Sequence, residues 1–167
     1  MNSTNFNQLL CKNISENGED ISGIFDTLVC ERGKNRFFIC VFFNQIIEPQ
    51  ERFEEYYYRI VLRYLGKSRA DTKHYRIDSG ILWNDIHEDE NTTDQDRLMH
   101  HHTTRPGYFG RLSIDYGFDF DVQGDYEVDL YVKKMSDDDT QERCDQIPVR
   151  NLNLVSISPF QVIFQDA

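Results

Sequence analysis

The decisive stretch of this sequence is residues 111–133, which read RLSIDYGFDFDVQGDYEVDLYVK. Apolar and polar side chains alternate along both of its halves. The apolar positions are Leu112, Ile114, Tyr116, Phe118 and Phe120 in the first half and Tyr126, Val128, Leu130 and Val132 in the second. Because successive side chains of a β-strand point to opposite faces, this period of two predicts two strands that each bury one face. Half-buried strands of this kind are typical of antiparallel sheets.

Further strand-like segments occur at short intervals in the rest of the chain. Residues 56–65 alternate almost strictly, and residues 24–30 and 36–43 flank a turn-like segment and predict a hairpin. Shorter candidates are residues 75–77, 81–83, 149–156 and 160–164. About eight short strands with little helix predict an all-β fold, either an antiparallel β-sandwich or a small barrel.

The length of 167 residues suits one domain. Residues 1–20 form a polar lead-in, and residues 21–167 form the predicted sandwich domain. Phe6, Leu9, Leu10 and Ile14 recur at helical spacing and predict a short N-terminal helix, with a frayed terminus as the alternative. Residues 84–107 are polar without periodicity and predict a long loop.

A short segment of the decisive stretch resembles a known superfamily. Gly124-Asp-Tyr-Glu-Val-Asp-Leu-Tyr-Val132 is similar to the late strand of immunoglobulin-like sandwiches, where a Gly-Asp/Glu-Tyr turn starts an alternating run. The resemblance implies an immunoglobulin-like sandwich, and a jelly-roll-like sandwich is the alternative. It concerns the fold alone. A Cys-Trp-Cys arrangement is missing because Trp83 follows Cys40 and the next cysteine is Cys144, so no particular immunoglobulin family is indicated.

The charge balance limits the classes of partner. The chain has 18 basic and 29 acidic residues and a formal net charge of −11. Nucleic acid and anionic membranes bind through basic residues, so neither is an expected direct partner. A protein with a basic surface is the expected partner. With no secretion signal or apolar stretch long enough to span a bilayer, the expected location is cytoplasmic, and the four cysteines are expected to be free thiols.

The decisive stretch also predicts an acidic hairpin. If the loop is Val122-Gln-Gly124, with Gly124 at positive φ, both apolar sets face one core, and Asp119 lies opposite Glu127 on the other side. In the same register Asp121 faces Asp125. Like charges directly opposite each other destabilise a sheet. The carboxylates of this predicted partner-binding surface are Asp115, Asp119, Asp121, Asp125, Glu127 and Asp129. The alternative is an ordinary solvated face whose repulsion is screened by salt.

Catalytic and metal-binding signals are weak. His100 and His102 form an H-x-H pair of the kind that metal-dependent cupins use, but the expected glutamate is missing and surface histidines explain them better. Asp119, Asp121 and Asp125 offer oxygen ligands for calcium without the EF-hand spacing. The sequence lacks the nucleophile-elbow, phosphate-loop and dinucleotide motifs. No cofactor and no metal site are therefore expected.

The sequence favours a non-enzymatic protein-binding module. It would act as a small regulatory or inhibitory protein that presents an acidic face to a basic groove, including by mimicry of nucleic acid. The first alternative is a metal-dependent enzyme on a jelly-roll-like barrel with His100 and His102 as ligands. The second is a structural subunit of a larger assembly.

Overall fold

The structure, a computed structural model, describes residues 3–16, 20–31, 33–46, 54–66, 71–82 and 107–165. Within these ranges the chain forms nine strands, one five-residue helix and one 3-10 turn. The strands are β1 (Ser3–Ile14), β2 (Ile21–Ile24), β3 (Thr27–Cys30), β4 (Gly33–Ile46), β5 (Tyr56–Leu65), β6 (Lys73–Leu82), β7 (Gly107–Phe120), β8 (Gly124–Lys134) and β9 (Asn153–Phe164). Helix α1 is Gln141–Asp145, and the 3-10 turn is Val149–Asn151.

The strands form two sheets packed against each other, which confirms the predicted all-β sandwich. Sheet A has the order β2-β1-β4-β7, and sheet B has the order β3-β9-β8-β5-β6. All strand pairs within the two sheets are antiparallel except β3 and β9, which run parallel. The first strand of sheet B is thus paired with the last strand of the chain.

One apolar core fills the space between the sheets. It is built from the inward set of each strand, as the period of two requires. At one end Phe37 of β4 stacks on Phe120 of β7 with ring centroids 6.5 Å apart. The same ring packs on Phe160 of β9, at 5.9 Å between centroids. Aromatic rings from both sheets therefore hold the layers together.

The N-terminal segment is a strand, and the predicted short helix is wrong. Residues Ser3–Ile14 form β1, which pairs with β4 from Ser3 opposite Ile46 to Cys11 opposite Phe38. The misleading residues, Phe6 and Leu10, are four positions apart, and a spacing of four satisfies both a helical turn and an alternating strand. Pairing with β4 decides between the two, because it satisfies the backbone hydrogen bonds of a segment too short for a stable isolated helix.

The predicted hairpin between residues 24–30 and 36–43 is also wrong. The first segment divides into the ends of β2 and β3, and β3 pairs with β9 in sheet B. The second segment is part of β4, which lies in sheet A between β1 and β7. The chain therefore crosses from one sheet to the other between Cys30 and Gly33 rather than turning back within one sheet.

The same correction applies to the predicted acidic hairpin. β7 pairs with β4 in sheet A, whereas β8 pairs with β5 and β9 in sheet B. The segment between β7 and β8 is a corner that joins the sheets, where the Tyr126 hydroxyl donates to the carbonyl of Val122 at 2.6 Å. Gly124 has a φ of 142°, so its expected positive φ is confirmed. The predicted pairs Asp119–Glu127 and Asp121–Asp125 do not form.

Strand β5 is predicted correctly in its bounds but not in its burial. The segment 56–65 was expected to bury one face, yet residues of both faces are buried from Tyr57 to Leu62. The outer side of β5 is covered because Tyr57 and Val61 pack in a second apolar cluster with Cys144 of α1 and with Leu152. A single turn of helix after β8 therefore closes half of this face.

The remaining segments differ from their predictions mainly in their bounds. Residues 75–77 and 81–83 were expected as one short strand or a broken pair, and the described part forms one strand, β6. The predicted strands 149–156 and 160–164 become the 3-10 turn and the single strand β9. The predicted loop at 84–107 lies outside the described residues, except for Gly107, where β7 begins.

Candidate functional site

The outer face of sheet B is divided into a covered half and an open half. The covered half lies under α1 and is held by Arg59, a buried arginine on β5. Its guanidinium donates to the carbonyls of Cys144 and Ile147, each at 2.8 Å. These carbonyls belong to the end of α1 and the residues after it, where helices leave acceptors without intrahelical donors.

The charge of Arg59 is balanced through a chain of hydrogen bonds. Its Nε donates to the Tyr57 hydroxyl oxygen at 2.9 Å, and the Tyr57 hydroxyl donates to Asp145 Oδ1 at 2.7 Å. The Ser79 hydroxyl donates to the same carboxylate oxygen at 2.8 Å. These bonds lower the pKa of Asp145 although its burial opposes the shift. A network with its polar groups paired in this way is a structural anchor for α1.

The second half, which we call the open face, combines an apolar stripe with a charged row. The stripe consists of Val29 on β3 and Ile157, Pro159 and Ile163 on β9, and the charged row consists of Arg63 on β5 and Asp125, Glu127 and Asp129 on β8. The register places these groups side by side: Asp129 lies opposite Ile157, Glu127 opposite Pro159, and Ile163 beside Val29.

The aliphatic side chains of the stripe are in contact with solvent. Val29 is 53% exposed, Ile157 is 48% exposed and Ile163 is 40% exposed. Single exposed aliphatic residues are common on protein surfaces, but a group of them bordered by charged residues is typical of an interaction site. The open face is therefore the strongest candidate site in the described part of the chain.

Two carboxyl groups of the charged row share one arginine. The Arg63 guanidinium forms an ion pair with Glu127 through Nη2 and lies 3.2 Å from Asp129 Oδ2 through Nε. Asp129 is only 1% exposed, and the Tyr131 hydroxyl is 3.4 Å from its Oδ2. The other oxygen, Asp129 Oδ1, is buried and has no hydrogen-bond partner among the described residues. Arg63 Nε is also buried without a hydrogen bond among the described residues, so this network, unlike the one around Arg59, is incompletely paired.

The environment of Asp129 makes its carboxyl group a weak acid. Burial is the largest effect and repulsion by Glu127 the next; together they raise the pKa of Asp129 to about 6, against the attraction of Arg63. A hydrogen bond between the two carboxyl groups would need a proton on one of them and would raise the pKa of Asp129 further. Asp129 can therefore take up a proton near pH 6.

The six carboxylates predicted as one partner-binding surface are separated by the fold. Asp125, Glu127 and Asp129 lie on the open face, and Asp121 is exposed at the corner. Asp115 and Asp119 are on β7, where Asp119 is in register with Lys34. Asp115 forms an ion pair with Arg36, and hydrogen bonding to that guanidinium lowers the pKa of Asp115. Of the six, Glu127 and Asp129 come together. A role in partner binding stays a prediction for all of them.

Sequence reasoning missed Arg63 and the aliphatic stripe. The alternation of β5 places Arg63 on its outer side, but the position of Arg63 beside Glu127 depends on the pairing of β5 with β8. The sequence of β9 contains a weak signal for the stripe. Phe160 and Val162 are at even-numbered positions, and Ile157 and Ile163 are at odd-numbered positions. Apolar residues at both even and odd positions indicate a strand with two apolar faces. The tertiary structure leaves one of these faces exposed.

The predicted metal ligands fall into two groups. His100 and His102 lie outside the described residues. Asp119, Asp121 and Asp125, weighed as calcium ligands, are not gathered into a site. Across the described ranges there is no group of three or more His, Cys, Asp or Glu side chains that could hold a metal ion.

Comparison with known proteins does not place the chain in a family. No family model matches it. No curated protein sequence matches it either. In the part of the chain that the structure describes, no helix is long and apolar enough to cross a membrane.

Proposed function

We propose that this protein is a non-enzymatic protein-binding module whose open face holds a basic, partly apolar segment of another protein. One observation carries the proposal: an exposed aliphatic stripe lies directly beside a row of carboxylates on the same face of sheet B. A small regulatory or inhibitory protein fits this arrangement, because its effect requires a binding surface but no chemistry.

The apolar stripe supports affinity. Covering an exposed aliphatic side chain contributes on the order of 1 kcal/mol, since about 25 cal/mol is gained per Å² of apolar surface removed from water. Val29, Ile157 and Ile163 together therefore support a moderate affinity. The outer surface of β9 suits an extended partner segment that lies across the sheet, because Ile157, Pro159 and Ile163 all occupy outward positions of this strand.

The charged row supports a basic partner over a second copy of this chain. Asp125 is exposed, and with Glu127, Asp129 and Arg63 the row carries an excess of negative charge when the carboxyls are ionised. A second copy would bring another net charge of −11 against the same face. A partner with lysine or arginine beside apolar residues gains from both parts of the surface, and charge complementarity also speeds association.

The test compares two exposed patches of similar chemistry. The doubly substituted variant Ile157→Ser and Ile163→Ser removes the centre of the stripe, and Ile24→Ser is the matched control, because Ile24 is 65% exposed but lies on β2 of sheet A. Wild-type and variant proteins serve as baits in extracts of the native host at low and high salt. Each captured protein is then purified, and its affinity is measured by calorimetry.

A supporting result is a basic partner that binds the Ile24→Ser protein like the wild type and binds the double variant at least about tenfold more weakly, as the loss of two aliphatic contacts predicts. Its affinity should also decrease with salt. Equal binding by the double variant, capture of only acidic partners, or self-association of the bait in place of partner binding would each contradict the proposal.

A further inference from the structure

We infer that one proton, shared by the buried carboxyl groups of Glu127 and Asp129, regulates how strongly the open face attracts a basic partner. The inference rests on the proposed function of this face and adds a regulatory mechanism to it. The partner would bind more tightly above neutral pH and more weakly in a mildly acidic environment.

The geometry of the charged row supports a shared proton. Glu127 and Asp129 occupy alternate positions of β8, so both side chains lie on the outer side of sheet B. Both are buried, at 8% and 1% exposure, and the Arg63 guanidinium contacts both of them. Two ionised carboxyls and one guanidinium leave a single negative charge in a buried place, which is costly unless a further positive group arrives. A proton is the smallest group that can reach this position.

The unpaired oxygen of Asp129 is a second observation that supports a bound proton at this carboxyl group. Asp129 Oδ1 is buried without a hydrogen-bond partner among the described residues, and buried polar atoms are rarely left in that state. If one carboxyl is protonated, the two groups can form a hydrogen bond, as other closely placed carboxyl pairs do. The raised pKa of Asp129, about 6, agrees with this arrangement.

The surroundings of Asp129 contain few other groups that could change its charge. The titratable or charged groups that act on it are Glu127 and Tyr131 on its own strand and Arg63 on β5. Its neighbours across the strands are Val61 on β5 and Ile157 on β9, which carry no charge. The proton therefore binds to the pair rather than to a wider network.

Loss of this negative charge would weaken the attraction between the open face and a basic partner. Protonation of the pair removes one negative charge below the surface that the partner's basic residues would approach. At separations of several ångströms and the effective dielectric constants of protein surfaces, one charge changes an affinity by about three- to tenfold.

The experiment uses the full chain and a defined probe. The probe is a synthetic peptide of about eight residues in which lysine and valine alternate, so that it offers both basic and apolar side chains to the open face. Its lysines keep their charge at both about pH 7.5 and about pH 5, because an ordinary lysine has a pKa near 10.4. Affinity is measured at both pH values and one ionic strength for the wild type and for Asp129→Asn, while carbon-13 carboxyl shifts of the free protein report the titration of Asp129 directly.

The expected results separate the two proposals. The wild type should bind the probe at the higher pH and lose about three- to tenfold in affinity at the lower pH, whereas Asp129→Asn should show a clearly smaller change. This comparison removes the pH-dependent contributions of all other groups, because those groups are the same in both proteins. Asp129 should titrate near pH 6 in the wild type and at lower pH in Glu127→Gln, where the repulsion is absent.

Two outcomes would overturn the inference alone: titration of Asp129 near its ordinary value, or probe binding with the same pH dependence in wild type and Asp129→Asn. Absence of probe binding at both pH values, with a peptide in which glutamate replaces lysine as the control, would overturn the proposed function and the regulation that depends on it.

Discussion

Among the described residues, Asp129 is the one whose burial most clearly opposes folding. It is a carboxyl group buried beside a second carboxyl, with one oxygen unpaired and one arginine shared between them. Arg59, on the same face of the sheet, shows the contrast, because its donors are matched by two backbone carbonyls and a tyrosine oxygen. Buried polar residues that are left incompletely paired are candidates for function, whereas paired ones are explained by stability.

The first prediction at this scale is that Asp129→Asn stabilises the protein at about pH 7.5 by about 1–2 kcal/mol. A carboxyl whose pKa is about 6 in the folded state and near 3.8 in the unfolded state opposes folding above pH 6. The folded state takes up a proton as the pH falls, so this cost disappears between about pH 6 and pH 4. The full shift corresponds to about 3 kcal/mol, which loss of the Arg63 contact offsets in part.

Urea unfolding of wild type and Asp129→Asn at several pH values measures this difference. The advantage of the variant should be largest near pH 7.5 and should shrink toward pH 4.5, about where the folded wild type is protonated. Asp125→Asn is the control, because Asp125 lies on the same strand and is exposed, so its substitution should change the stability by less than about 0.5 kcal/mol. A variant that is less stable than wild type at pH 7.5 would contradict the argument.

Among the structural elements, the corner between β7 and β8 has the largest effect on the candidate site. It carries the chain from sheet A to sheet B, and thereby separates carboxylates that a hairpin would have placed opposite each other. The Tyr126 hydroxyl bonds back to Val122, and the backbone of Gly124 adopts a conformation that other residues rarely tolerate. A Cβ at Gly124 would also lie 3.1 Å from the ring of Tyr64.

Tyr126→Phe tests the corner. The substitution keeps the ring, which packs against Phe120 and Phe160, and removes only the hydroxyl that donates to Val122. We expect a loss of about 1–2 kcal/mol in the free energy of unfolding, because the carbonyl of Val122 loses its partner. Thermal or urea unfolding measures this loss, and an unchanged stability would mean that the hydroxyl bond does not hold the corner.

The corner also supports a proposal on the strand order. In immunoglobulin-like sandwiches, a tyrosine near the start of a late strand bonds back to the backbone just upstream, at a corner between sheets. Tyr126 has this position in the segment that carries the resemblance. We propose that the resemblance reflects a shared arrangement of strands around this corner, which the Tyr126→Phe measurement tests through the hydroxyl bond to Val122. The segment from Gly124 to Val132 therefore also fits a crossing between sheets, an alternative to the predicted hairpin.

For the whole molecule, the main electrostatic feature is the net charge of −11. Repulsion among the carboxylates opposes the compact state, while ion pairs such as Arg36–Asp115 and Lys133–Asp139 favour it. Exposed pairs contribute little, so repulsion should prevail. We therefore expect the free energy of unfolding to rise by about 1 kcal/mol between about 20 and 200 mM KCl, as the charges become screened.

Urea unfolding at a series of KCl concentrations checks this expectation. Asp121→Asn, which removes an exposed carboxylate at the corner, should stabilise the protein slightly at low salt and reduce the dependence on KCl. A stability that falls with added salt would show that the ion pairs outweigh the repulsion.

The sequence by itself determined which side chains face the core in β5, β7 and β8, because alternation is a local property of an extended chain. It also determined the all-β class. It did not determine which sheet each strand joins: Phe120 and Tyr126 face inward both in a hairpin and at a corner. Sheet membership depends on pairings between strands distant in sequence, such as β4 with β7 and β8 with β9. Only the tertiary structure could therefore separate Asp119 from Glu127, place Arg63 beside Glu127 and Asp129, and leave Ile157 and Ile163 exposed next to them.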